Sequence, residues 1–272
     1  MDHGIVAKQL SRSFFRRERS GGLKGALKSM LRPQVKEKKA VMDVSFTVPY
    51  GACVGLIGAN GAGKTTLLKM IAGLLHPSSG EIHTLGYVPY ERDHKFLKKI
   101  GMVMGQKSQL WVDIPAIDTF QLLGAIYDLD PKHCAARVQE LAELFGLKEL
   151  LGVQVRRLSL GERMKMEIVA SLLHSPSLLI LDEPTIGLDL LAKETIRSFI
   201  NTYRSKEKST IILSSHDMED ITELCDHLLV ISRGNLIYSG SVADFGQDQN
   251  LKNKVLELLK DEESTKEESS KK

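Results

Sequence analysis

The run from Ala52 to Leu68, ACVGLIGANGAGKTTLL, constrains this chain more than any other stretch. Ala52 to Ile57 is short, apolar and interrupted by glycine, as a buried strand is. It runs into Gly58-Ala59-Asn60-Gly61-Ala62-Gly63-Lys64-Thr65, which fits G-x-x-x-x-G-K-[ST], and Lys64 to Leu74 reads as a helix. Gly58, Gly61 and Gly63 let the backbone turn its N–H groups around an anion. The helix N-terminus adds partial positive charge. Lys64 supplies a full charge at the β/γ-phosphates, and the Thr65 hydroxyl is a ligand for Mg²⁺. This is a nucleotide-phosphate site, and its kind must be read from the rest of the chain.

Leu178 to Leu181 is an apolar strand followed by two carboxylates, Asp182 and Glu183. Beside a phosphate loop, a strand-end Asp helps to hold Mg²⁺, and the adjacent Glu orients and polarises the attacking water. Ser214-Ser215-His216-Asp217 follows another apolar strand, which makes His216 a candidate sensor of the γ-phosphate. Gln106 follows the Ile100 to Met104 strand and is a candidate for reaching both Mg²⁺ and the water. Leu158-Ser159-Leu160-Gly161-Glu162-Arg163 precedes a helical run, Met164 to Leu173, so Ser159 and Gly161 form a second anion site at a helix end. Two such sites far apart in one chain are natural when the loop of one copy completes the site of another.

At 272 residues and a net charge of +3, the chain has room for an ample core, and its charge is too mild to argue for nucleic acid. Cys53, Cys134 and Cys225 are scattered, without a Cys-x-x-Cys, and read as thiols in a reducing cytosol. No apolar run has the length of a membrane span, so action at a membrane would be that of a peripheral subunit. Gly4 to Leu10 and Val41 to Val48 read as strands. Between them, the segment 16–39 is dense in Arg and Lys. Within it, Leu23, Ala26, Leu27, Met30 and Leu31 mark one face of a short basic helix, either an interface or a solvated insertion. Residues 108–173 are mostly helical, with helices at Asp118 to Tyr127 and Pro131 to Phe145. Strands and helices then alternate from Leu178 to a hairpin around Gly234-Asn235. Leu251 to Leu259 reads as a last helix, and the all-polar tail 261–272 should be disordered.

Taken together, these motifs resemble the nucleotide-binding subunit of an ABC transporter, from Gly4 to about Gly240. By that resemblance, Gly58 to Thr66 is the Walker A loop, Leu178 to Glu183 the Walker B strand, Gln106 the Q-loop glutamine and Leu158 to Glu162 the signature motif. Gly187-Leu188-Asp189 is the D-loop and His216 the switch histidine. The insertion, Gln106-Lys-Ser-Gln-Leu-Trp111 and LSLGER resemble the NatA-like group.

The resemblance implies an α/β P-loop NTPase fold with a RecA-like core, an N-terminal antiparallel β part and an inserted helical subdomain (108–173), spanning 4–240. A helical extension (241–260) follows. It implies ATP and Mg²⁺ as cofactors, with Glu183, His216 and Gln106 catalytic and Thr65, Gln106 and Asp182 holding the metal. Ala59, Asn60, Ala62, Thr66 and Asp189 join the nucleotide site, and Phe14 or Phe15 stacks on adenine. Its implied partners are export permease subunits at the cytoplasmic face of the membrane and a second ATPase subunit, the same or different. Trp111 would be a permease contact or subdomain core. Soluble relatives carry coiled coils, zinc insertions or paired cassettes, none visible here, and intact Lys64, Asp182, Glu183 and His216 argue against a non-catalytic sensor.

Overall fold

The computed structural model describes residues 3–18, 34–105, 107–245, 253–255 and 257. Alternating apolar residues build a three-stranded antiparallel sheet at the N-terminal side, in the order β2 (Gln34–Pro49), β1 (His3–Glu18), β4 (Ser79–Thr84). Both long strands extend further than expected. Their register continues from Phe14↔Lys38 to Glu18↔Gln34, so both ends of the basic segment 16–39 are paired strand. Cross-strand pairing, invisible to periodicity, carries the ladder through polar residues. The proposed basic helix at 23–31, most of the C-terminal helix and the tail 261–272 lie outside the described residues.

The central sheet has the order β5 (Ile100–Met104), β6 (Leu178–Asp182), β7 (Thr210–Ser214), β3 (Cys53–Ile57), β8 (His227–Ser232), β9 (Asn235–Ser241). All neighbours are parallel except β8 and β9, which form the hairpin expected around Gly234. Strands β3, β6 and β7 are buried along their whole length. Such strands read as continuous apolar runs because both faces are covered. Register then sets the site: Leu56 pairs with Ser214, Ser214 with Asp182 and Asp182 with Met104. Four strands therefore deliver their carboxyl ends to one edge, where open α/β sheets bind ligands.

Helix α1 (Lys64–Ile71) follows β3, and a one-turn helix, α2 (His94–Leu97), precedes β5. Between β5 and β6 the chain is helical: α3 (Ala116–Ile126), α4 (Pro131–Leu144) and α5 (Leu160–Leu172). Asp130 caps α4, accepting from His133 N at 2.9 Å, with Pro131 in the first turn. Phe120, Val138, Leu141, Phe145 and Ile168 share one core cluster. Helices α6 (Leu190–Glu207) and α7 (Met218–Leu224) complete the fold.

Candidate nucleotide site

The turn after β3 closes tightly. A side chain at Gly58 would meet the Ile231 carbonyl at 2.2 Å, and Gly63 caps α1 at φ +115°, which only glycine adopts without strain. The loop leads into a cleft of about 650 Å³ lined by Ala59, Asn60, Gly61, Gly63, Lys64, Thr65 and Thr66, with Asp182, Glu183 and His216 opposite. Ala62 is buried beneath the loop.

Lys64 is the centre of the cleft. Its Nζ donates to Gly58 O at 2.7 Å, lies 3.2 Å from His216 Nε2 and sits 3.5 Å from Glu183 Oε1. His216 Nε2 is also 3.1 Å from Glu183 Oε1 and 3.0 Å from Asn60 Oδ1. Thr65 Oγ1 donates to Asp182 Oδ2 at 2.8 Å, and Ser214 Oγ donates to Asp182 Oδ1 at 2.7 Å. Both oxygens of this buried carboxylate are thus held, as burial of a charge requires.

Glu183 has φ +55°, uncommon for a residue with a side chain. Its N–H donates to the Ser214 hydroxyl at 3.0 Å. This backbone costs about 1–2 kcal/mol, and it turns the chain immediately after the strand, with Glu183 lining the cleft.

At the cleft mouth, Phe14 is a lining residue and Arg12 sits over its ring, 4.9 Å from the centroid. Phe15 is 71% exposed and does not line the cleft. Gln106 lies outside the described residues; its neighbours Gly105 and Lys107 border the cleft.

Ser159 and Gly161 are elsewhere. Ser159 caps α5: its hydroxyl accepts from Glu162 N at 3.3 Å while Glu162 Oε2 accepts from Ser159 N at 2.8 Å. Glu162 is therefore folded back on its own helix end. The hydrogen bonds from the Ser159 N–H and hydroxyl hold its carboxyl below the usual range. Gly161 faces the first turn of α6, where an added side chain would come 3.0 Å from Ala192 Cβ. Asp189 caps that helix through Ala192 N at 2.8 Å. None of Ser159, Gly161 or Asp189 lines the cleft of its own chain. Trp111 is 58% exposed and so is not subdomain core.

Sequence reading missed the support behind the site. Asp220, fully buried on α7, accepts from Thr185 Oγ1 and Ser215 Oγ, both at 2.6 Å, and from Arg197 Nε at 2.7 Å. Thr185 follows Glu183 and Ser215 precedes His216, so one carboxylate ties both catalytic-candidate loops together. A lone Asp on a short helix carries no signal of this, and Arg197, with Lys193, Glu194 and Asn201 at helical spacing around it, carries none either.

The family described as ABC transporter matches residues 41–186. The ABC transporter ATP-binding protein NatA of Bacillus subtilis is 38% identical over 207 residues, covering 76% of this chain and 84% of NatA. A Nod factor export ATP-binding protein I of Cupriavidus metallidurans is 38% identical over 200 residues, 74% of this chain and 65% of that one. A solved structure of the ATP-binding subunit of an ABC transporter, 26% identical, superposes with a TM-score of 0.75 over 93% of this chain and 99% of that one. With this fold and this cleft, the chain belongs to the ABC transporter family, as an ATP-binding, ATP-hydrolysing subunit.

Proposed function

We propose that two copies of this chain close face to face on two molecules of MgATP at the cytoplasmic face of a membrane, driving an export permease made of separate subunits. One observation carries the reading. Lys64, Thr65, Asp182, Glu183 and His216 share one cleft, whereas the second anion-binding helix end, with Ser159 and Gly161, is absent from that cleft. A second copy supplies it, with Asp189 alongside. Leu160, Ile186, Leu190 and Leu191, near those helix ends, are 45–80% exposed, as on a face covered by a partner.

Within each site, Lys64 and the loop N–H groups hold the β/γ-phosphates, and Phe14 stacks on the adenine ring. Among the described residues no three His, Cys, Asp or Glu converge on a metal. A hydroxyl and one carboxylate, Thr65 and Asp182, still suit Mg²⁺, which binds through few protein oxygens and keeps water and substrate phosphate as ligands. Gln106 would join them. When bound, Mg²⁺ would supply positive charge against the charge developing on the phosphate, held there by Thr65, Asp182 and Gln106. Glu183 accepts the proton of the attacking water. His216, 3.1 Å from the Glu183 carboxylate, holds the γ-phosphate end of the site.

Export is supported by the resemblance to a Nod factor export protein. We assign the nucleotide-binding domain to 4–240, with 108–173 as its helical subdomain. Contact with the permease is supported by exposed Trp111 and Val112, and by a cleft of about 620 Å³ lined by Leu74, Lys107, Gln109, Ile126 and Tyr127. The decisive experiment is Glu183→Gln. It is expected to trap an ATP-bound dimer on gel filtration, with turnover lowered by about 10²-fold or more. Turnover close to that of the parent overturns the assigned base.

A further inference from the structure

Helix α5 buries Met164, Met166, Ile168, Val169, Ala170 and Leu172, and in their midst Glu167, only 6% exposed. A carboxylate at such a place is costly. It persists there only because hydrogen bonds compensate its desolvation. Desolvation pushes the Glu167 carboxyl above its ordinary value, opposed by hydrogen bonds from residues 108–110.

The partners of the Glu167 side chain come from one loop, the segment that follows β5. Ser108 Oγ donates to Oε1, and Gln109 N donates to Oε2 at 3.1 Å. Gln109 Nε2 returns a hydrogen bond to the Glu167 carbonyl at 2.9 Å. The same loop borders the candidate nucleotide cleft. Lys107 lines the cleft and donates its N–H to Met104 O at 3.0 Å, while Gly105 N donates to Asp182 O at 3.0 Å. Glu167 lies eight residues along a continuous helix from Ser159, so the fastening point and the second anion site are about 12 Å apart on one rigid rod.

We propose that Glu167 is a positioning residue that fastens loop 107–110 to helix α5, so that the wall of one nucleotide site and the Ser159–Gly161 end offered to the other move as one body. The inference rests on the two-copy reading above. It adds a link between the sites within each chain.

The test compares Glu167→Met, Glu167→Gln, Ser108→Ala and the Glu167→Met/Ser108→Ala pair in the full chain, using MgATP. Glu167→Met is expected to remain folded at the assay temperature, with its melting point lowered by the loss of acceptors for Ser108 and Gln109, and to bind a fluorescent ATP analogue with unchanged affinity. Its kcat is expected to fall about tenfold, as displacement of a catalytic element does. Ser108→Ala should lower kcat in the same direction, and the pair should lose little more than Glu167→Met, because both changes cut one link. Glu167→Gln, which keeps one acceptor oxygen, should recover part of the turnover.

Parent-like kcat in Glu167→Met, independent additive losses, or losses that merely follow melting temperature and ATP affinity overturn the proposal. If Glu167→Met does not fold, parent-like kcat in Ser108→Ala overturns it equally. Absence of an ATP-dependent dimer in Glu183→Gln would instead sink the two-copy reading, and the ratio of variant to parent kcat would still judge the link.

Discussion

Thr65 Oγ1 donates to Asp182 Oδ2 at 2.8 Å, joining the first turn after the phosphate loop to a strand end 117 residues later. This bond ties helix α1, which follows β3, to the end of β6 and holds the two proposed metal-binding oxygens side by side. Thr65→Val removes the donor at nearly constant volume and leaves a buried carboxylate oxygen unsatisfied. The expected cost is about 1–3 kcal/mol of stability, read as a lower urea midpoint with unchanged slope. ATP turnover should fall far more than stability, because the hydroxyl is also a proposed ligand of the metal. Parent-like turnover would remove Thr65 from the proposed metal site.

Asp220 gathers Thr185, Ser215 and Arg197 around one buried carboxylate. Arg197 is 2% exposed, and its guanidinium also reaches Glu194 at 3.0 Å and Glu219 at 3.1 Å. Replacing Arg197 with Ala strands the Asp220 charge, with an expected loss of about 3–5 kcal/mol in chemical denaturation. Asp220→Asn should lower kcat more than ATP affinity, since Glu183 and His216 are aimed by the loops it ties while the phosphate loop is not. Equal effects on both would reduce Asp220 to a purely structural role.

Glu162 closes the cap of α5, and hydrogen bonds from Ser159 depress its carboxyl below the ordinary 4.5. A depressed acid stabilises the fold above its unfolded value, and that contribution disappears as pH falls through the folded value. Glu162→Ala should therefore destabilise the chain at pH 7 by about 0.5–1 kcal/mol, at the low end for a cap because the carboxylate is largely solvated. The gap between parent and variant should close as pH drops below 4.5. Thermal melts across that range check the sign: a gap that widens on acidification contradicts the capping geometry.

The phosphate loop, the acidic strand end and the order of the motifs were legible because each is local. A glycine before a helix, a Lys at its first turn and a carboxylate after an apolar run carry their chemistry within a few residues. Strands β3, β6 and β7 announced themselves for the same reason, since burial on both faces leaves an uninterrupted apolar run. The outer parts of β1 and β2 did not, because a polar ladder held by cross-strand hydrogen bonds has no hydrophobic period. Asp220, Arg197 and Glu167 were silent as well, for their meaning lies in partners that only folding brings near. Parallel register alone decided that Asp182, Ser214 and Leu56 share one row, and it is that row which turns separate strand ends into one cleft. Tertiary structure likewise set Ser159 and Gly161 away from their own chain's cleft, because rigid α5 carries them on the helical layer while Lys64 is held at the sheet edge.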